Sequence, residues 1–207
     1  MPTLSRGLYA ITDSTLLACR LLPAVEAALR GGAVVVQYRD KSADHARREQ
    51  EARALLALCR QHQRPLLIND DVELALAIGA DGVHLGRSDG AIAAARTRLG
   101  TQAIIGATCH DALEFAAEAK HAGADYLAFG AFYPSPTKPH AQAARLATLT
   151  EARRRFGLPV VAIGGISVDN ASPLIQAGAD LVAVISDLWS ADDIEARARR
   201  FSTYFSE

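Results

Sequence analysis

The chain has 207 residues, half of them hydrophobic, and balances 22 basic against 23 acidic side chains for a formal net charge of −1. That is enough apolar material for one compact domain over 1–207, and the interspersed charge leaves no global electrostatic footprint for nucleic acid or an anionic membrane. Cys19, Cys59 and Cys109 are too few and too scattered for a disulfide framework or a zinc site, which points to a reducing cytoplasm, and no apolar run approaches the length of a membrane span.

A first strand, LYAIT (8–12), begins so near the N-terminus that no cleavable signal fits before it. Helical spacing then runs from Leu16 to Arg30, and RGGAVVVQYR (30–39) closes that helix on glycine and enters a second strand. A helical stretch over Ala43–Gln61 leads to a third strand, PLLIN (65–69). IGADGVHLG (78–86) holds the next helix end and the fourth strand, and AIIGAT (103–108) is the fifth. Helical spacing over Ala112–His121 precedes AGADYLAFG (122–130), the sixth strand. PVVAIGG (159–165) is the seventh, and after a helix over Asn170–Gln176 comes AGADLVAVI (177–185), the eighth. Alternating strand and helix implies a parallel sheet. Eight units predict a single-domain (β/α)₈ barrel, the TIM-barrel fold, over an open doubly wound sheet, because the strands recur evenly and no G-x-G-x-x-G follows the first.

Active sites of such barrels lie at the C-terminal strand ends, and here those ends are polar. Alternation along the second strand puts Gln37, Arg39 and Lys41 on one side and Tyr38 and Asp40 on the other. The bland reading is a solvated strand end with Arg39 paired to Asp40. Asn69, Asp70 and Asp71 end the third strand, and Arg87, Ser88 and Asp89 follow the fourth. Asp70 and Asp89 suit Mg²⁺, whose remaining ligands a phosphate would supply, while helix capping by Asp70, Asp71 or Asp89 is the rival. In FGAFYPSPTKPH (129–140) three prolines stiffen a loop carrying Ser135, Thr137 and the charge of Lys138, a phosphate-binding set. IGGI (163–166) leaves backbone amides free of side chains, with Gly165 giving a phosphate room to approach. Ile185 and Ser186 open another helix at the recurrent phosphate site of this fold. His84 reads as a packed barrel histidine, and His45, His62 and His121 as helix-surface residues, while His110 and His140 sit near the rim. Cys109 has no His and acid pair placed to activate it.

Taken in order, QYRDK (37–41), ND (69–70), DGVHLGRSD (81–89), GAT (106–108), SPTK (135–138), IGGI (163–166) and VIS (184–186) resemble the thiamine phosphate synthase family. The resemblance implies a Mg²⁺-using transferase that condenses 4-amino-2-methyl-5-(diphosphooxymethyl)pyrimidine with a (carboxy)methylthiazole ethyl phosphate and releases pyrophosphate. It implies that Gln37, Tyr38, Arg39, Asp40, Lys41, Asn69, Thr108 and Lys138 contact the pyrimidine diphosphate, with Arg39, Lys41 and Lys138 catalytic. Asp70 and Asp89 become the metal ligands, and Ser135, Pro136, Thr137, Gly165, Ile185 and Ser186 the thiazole phosphate cradle. Arg87 stands where the family usually has glutamine, Thr108 where serine is frequent and Ser135 where threonine is frequent. Two other readings stay open: a thiazole tautomerase-like paralogue, which needs a proton-transferring histidine and no diphosphate site, and a non-catalytic phosphate-ligand binding barrel. The intact Gln37, Arg39, Lys41, Asp70, Asp89 set argues against the first, and the retained metal carboxylates against the second.

Overall fold

A computed structural model describes residues 4–86, 89–134 and 144–206. Among them eight parallel strands close into a barrel in sequence order, with β8 hydrogen-bonded back to β1. In chain order the elements are β1 (Gly7–Ile11), α1 (Ser14–Leu17), α2 (Leu21–Arg30), β2 (Val35–Tyr38), α3 (His45–Gln61), β3 (Leu66–Asn69) and α4 (Val72–Ile78). Next come β4 (Gly82–Leu85), α5 (Asp89–Leu99), β5 (Ile104–His110), α6 (Leu113–His121), β6 (Tyr126–Phe129) and α7 (Leu146–Phe156). The chain ends with β7 (Val160–Ile163), α8 (Ser172–Gln176), β8 (Leu181–Val184), α9 (Ser186–Trp189) and α10 (Ile194–Thr203). The (β/α)₈ fold expected from the sequence is the fold observed. No helix of the described residues is long and apolar enough to cross a membrane.

Strand parity sorts the core into two layers. Tyr9, Ile11, Val35, Leu67, Ile104, Tyr126, Ala128, Val161, Leu181 and Ala183 fill the barrel interior. Their neighbours in sequence, such as Leu8, Val36, Leu66, Ile105, Leu127 and Val182, belong to the larger layer between strands and helices. A tight interior point is at Gly106, where an added Cβ would lie 1.9 Å from Tyr126 Cζ. Glycine there is what lets the Tyr126 ring cross the barrel.

Two helices depart from the spacing expectation. The stretch read as one helix from Leu16 to Arg30 is split by a 3₁₀ turn at Ala18–Arg20, entered with Ala18 at φ 38. Asp13 caps the short first piece by accepting from the Thr15 and Leu16 amides, and Arg20 ties the turn to the Trp189 carbonyl at 2.7 Å. The helix expected from Asn170 is preceded by a 3₁₀ turn, Val168–Asn170, closed by reciprocal Ser167 and Asn170 bonds. Its helical part starts at Ser172 with Pro173 in the first turn, where a missing N–H costs nothing.

Candidate active site

A chamber of about 1310 Å³ opens at the C-terminal strand ends, and its floor is the top interior layer of the barrel. Gln37, Arg39 and Lys41 line it from β2 and the residues just beyond. Gln37 is buried and donates its Nε2–H to the Tyr9 hydroxyl at 2.6 Å. The Arg39 backbone is held by Thr12, whose hydroxyl oxygen accepts the Arg39 N–H at 2.8 Å. Its guanidinium lies 3.9 Å from Asp13, the carboxylate that also caps α1.

Tyr38 and Asp40 do not join this set. Their parity turns them outward beneath α3, where Tyr38 donates to Glu51 at 2.7 Å and Asp40 pairs with Arg47 at 2.6 Å. Burial alone would raise the Asp40 pKa, but the Ser42 and Arg47 hydrogen bonds outweigh it and hold the carboxyl below its usual range. Neither residue is among those lining the chamber, and both side chains anchor the β2 end to α3. Nor does Arg39 pair with Asp40.

The three residues Asn69, Asp70 and Asp71 divide their work. Asp71 caps α4 by accepting the Leu74 N–H at 2.9 Å and pairs with Arg48 at 2.7 Å. Asp70 has no capping duty. It sits at φ 58, a left-handed conformation that costs a non-glycine residue roughly 1 kcal/mol or more. Its carboxylate lines the chamber and accepts from the Gly86 amide at 3.1 Å and the Asn69 side chain at 2.8 Å. Both donors are neutral, and no ion pair among the described residues consumes its charge. A hard, anionic oxygen left in that condition fits Mg²⁺. Among the described residues no group of three or more His, Cys, Asp or Glu could hold a metal.

Beneath the floor runs a chain of polar side chains, of which His84 reads in the sequence as a packed barrel residue and Thr108 as a substrate contact, while Tyr9 and Tyr126 carry no reading there. Tyr9 and Tyr126 hydroxyls are 2.8 Å apart, and Tyr126 lies 2.8 Å from His84 Nδ1. His84 Nε2 lies 2.9 Å from the Thr108 hydroxyl, which faces the chamber. His84 is buried as expected, with its ring stacked on Tyr126 at 5.6 Å, yet it also lines the floor. Burial pushes both phenols above their ordinary pKa, so each keeps its proton. One polar residue at an inward position in each of several apolar strands was the available signal for Tyr9 and Tyr126. Cys109 faces away, fully buried, and burial pushes its thiol up to about 12, which removes it as a nucleophile.

Loops after β6 and β7 are zipped together, with Phe132 and Tyr133 donating to the Ile163 and Gly164 carbonyls at 3.2 and 3.1 Å. Gly164 and Gly165 take φ 101 and 62 to make this approach. A Cβ on Gly165 would meet the Tyr133 and Pro134 carbonyls at 2.6 and 2.5 Å. Glycine at 165 thus also admits the neighbouring loop. Gly165, Ile185 and Ser186 all line the chamber, as does His110 at the end of β5. Ser135, Pro136, Thr137, Lys138, His140, Arg87 and Ser88 lie outside the described residues. Asp89 begins α5, and its side chain also lies outside them.

Comparison with known proteins adds an independent line. The family described as thiamine monophosphate synthase matches residues 8–188. Thiamine-phosphate synthase of Thioalkalivibrio sulfidiphilus is 57% identical over 201 residues, covering 97% of this chain and 95% of that one. Thiamine-phosphate synthase of Methylobacillus flagellatus is 55% identical over 201 residues, covering 97% and 96%. The solved thiamine phosphate pyrophosphorylase of Pyrococcus furiosus superposes with a TM-score of 0.86 at 36% identity, covering 96% of this chain and 94% of that one.

Proposed function

The chain belongs to the thiamine monophosphate synthase family, transferases of the condensation step of thiamine biosynthesis, and we propose how its chamber divides that reaction between two anion sites. One takes 4-amino-2-methyl-5-(diphosphooxymethyl)pyrimidine on Gln37, Arg39, Lys41, Asn69, Thr108 and Lys138. The other takes the phosphate of a (carboxy)methylthiazole on Ser135, Pro136, Thr137, Gly165, Ile185 and Ser186. The observation that carries the division is that Arg39, Lys41, Asn69 and Asp70 line one arc of the chamber, while Gly165, Ile185 and Ser186 line another.

In the reaction the bond between the pyrimidine methylene and its bridging oxygen breaks, and pyrophosphate leaves with the electron pair. The aminopyrimidine ring delocalises the resulting cation until the thiazole nitrogen donates its lone pair to the methylene carbon. No protein nucleophile is required, which agrees with the buried, protonated Cys109 and the doubly hydrogen-bonded His84. Arg39, Lys41 and Lys138 neutralise the departing charge, and Gln37 orients the ring. Asp70 and Asp89 would hold Mg²⁺, which when bound supplies further neutralisation of the diphosphate oxygens. Ile11, Ile163 and Ile185 give the chamber an apolar wall that keeps water from competing for the cation.

Free cysteines and small-molecule substrates fit the proposed cytoplasmic setting. Incubating purified protein with both substrates and Mg²⁺ tests the reading: pyrophosphate release that needs both is expected. Thiazole turnover without the pyrimidine would favour the tautomerase reading, and binding without turnover the regulatory barrel.

A further inference from the structure

We propose that Tyr9, Tyr126 and His84 form a directional hydrogen-bond relay that links an anion contact at Thr108 to the orientation of the Gln37 amide, and thereby selects an aminopyrimidine over its 4-oxo counterpart. The inference rests on the substrate reading above and adds to it two buried tyrosines, Tyr9 and Tyr126.

Proton counting sets the direction. A phenol has one hydrogen to give, and a neutral imidazole has one protonated nitrogen. Tyr9 has two partners, Gln37 and Tyr126, and Tyr126 has two, Tyr9 and His84. Each hydroxyl therefore donates one way and accepts the other, and with His84 neutral the chain runs in one of two senses. A diphosphate oxygen can only accept. If it takes the Thr108 hydroxyl proton, Thr108 must itself accept from His84 Nε2–H, at 2.9 Å. Nδ1 of His84 is then bare and accepts from Tyr126, Tyr126 accepts from Tyr9, and Tyr9 accepts from Gln37 Nε2.

The amide of Gln37 is thus turned with its nitrogen toward Tyr9. What it keeps for a ligand is its second N–H beside its carbonyl oxygen. That pair complements an amino N–H beside a ring nitrogen, the edge of a 4-aminopyrimidine. A 4-oxo ring presents a carbonyl beside a ring N–H, the reverse. To read it, the amide must turn over, all three relay protons must reverse, and the Thr108 proton must leave the anion. The relay is seated in the core: Tyr9 and Tyr126 are buried, and the Tyr126 ring occupies the space that a side chain at Gly106 would fill. An amide without such anchoring would flip to suit either ring.

The test is a calorimetric titration at pH 8 using the 4-amino and 4-oxo pyrimidine diphosphates with Mg²⁺. Wild-type protein should prefer the amino form by roughly tenfold or more, the order expected for one buried polar pair left unmatched. Tyr126→Phe keeps the ring but cuts the relay, and Thr108→Val cuts it at the anion end without touching Gln37. Both should bring the ratio to within about threefold. An unchanged ratio in either folded variant overturns the relay, since it would mean that Gln37 reads the ring alone. Should Tyr126→Phe fail to fold, ¹⁵N NMR of His84 in the wild-type complex decides: a proton on Nε2 alone supports the relay, and a proton on Nδ1 overturns it. Wild-type protein that binds neither diphosphate sinks the substrate reading and the relay together. Tight binding of both without preference sinks only the relay.

Discussion

Replacing Gly106 by alanine should damage the protein far more than a single methyl suggests. The new Cβ would sit 1.9 Å from Tyr126 Cζ and 2.2 Å from its hydroxyl oxygen. Tyr126 cannot step aside cheaply, because it is fully buried and its hydroxyl has Tyr9 and His84 as partners. Overpacking of this kind costs about 1–3 kcal/mol, and a buried hydroxyl forced off its partners about 1–3 more. Alanine regains roughly 0.5–1 kcal/mol from the smaller entropy of the unfolded chain. The net expectation is a loss of about 1–5.5 kcal/mol, or roughly 2–20 °C in Tm for a domain of this size. Urea unfolding followed by far-UV circular dichroism measures it directly. Adding Tyr126→Ala should relieve the clash, so the double variant should be about 1–2 kcal/mol more stable than additivity predicts. A Gly106→Ala cost under about 0.5 kcal/mol, or strict additivity, would falsify the claim that glycine is there to admit the ring.

Four shorter expectations follow from the site and the core. Asp70→Asn should raise the Mg²⁺ concentration needed for half-maximal turnover while the fold is kept, because Asp71 and not Asp70 caps α4; full activity in excess chelator would refute the metal assignment. Arg39→Ala should weaken the pyrimidine diphosphate by about 1.5–3 kcal/mol and leave thiazole phosphate affinity nearly unchanged in separate titrations, and loss of both would merge the two sites. Lys138→Ala should lower kcat more than it raises KM, since charge on the leaving group peaks in the transition state; a pure KM effect would make it a ground-state contact. Burial pushes the thiols of Cys59 and Cys109 up from 9.0 to about 12. In the unfolded chain they ionise first, so the folded state binds more protons between those values and stability falls as pH rises. Each thiol contributes about 1.4 kcal/mol per pH unit, and removing both as Cys→Ala should flatten the alkaline limb of a urea-midpoint profile.

Much of this was legible because it is local. Strand and helix alternate in the sequence with the periods their backbones impose, and a glycine closes a helix just before four of the strands, so the parallel barrel follows from the order of elements. Strand parity was equally local: it already placed Gln37, Arg39 and Lys41 on one face and Tyr38 and Asp40 on the other, and the structure keeps that division. The motif resemblance had swept all five into one contact set, and the pleat of the strand separates them.

What the linear pattern could not decide was which polar groups meet. Asp70 and Asp71 look alike in sequence, and only the left-handed backbone at Asp70 frees one carboxylate for the chamber while its neighbour caps a helix. Gly165 faces a neighbouring loop because β6 and β7 lie side by side and their loops share hydrogen bonds. Tyr9 and Tyr126 stand 117 residues apart and touch across the barrel interior. Their pairing depends on the closure of β8 onto β1 and on the space left above Gly106, and such contacts exist only once the sheet has curled through a full turn.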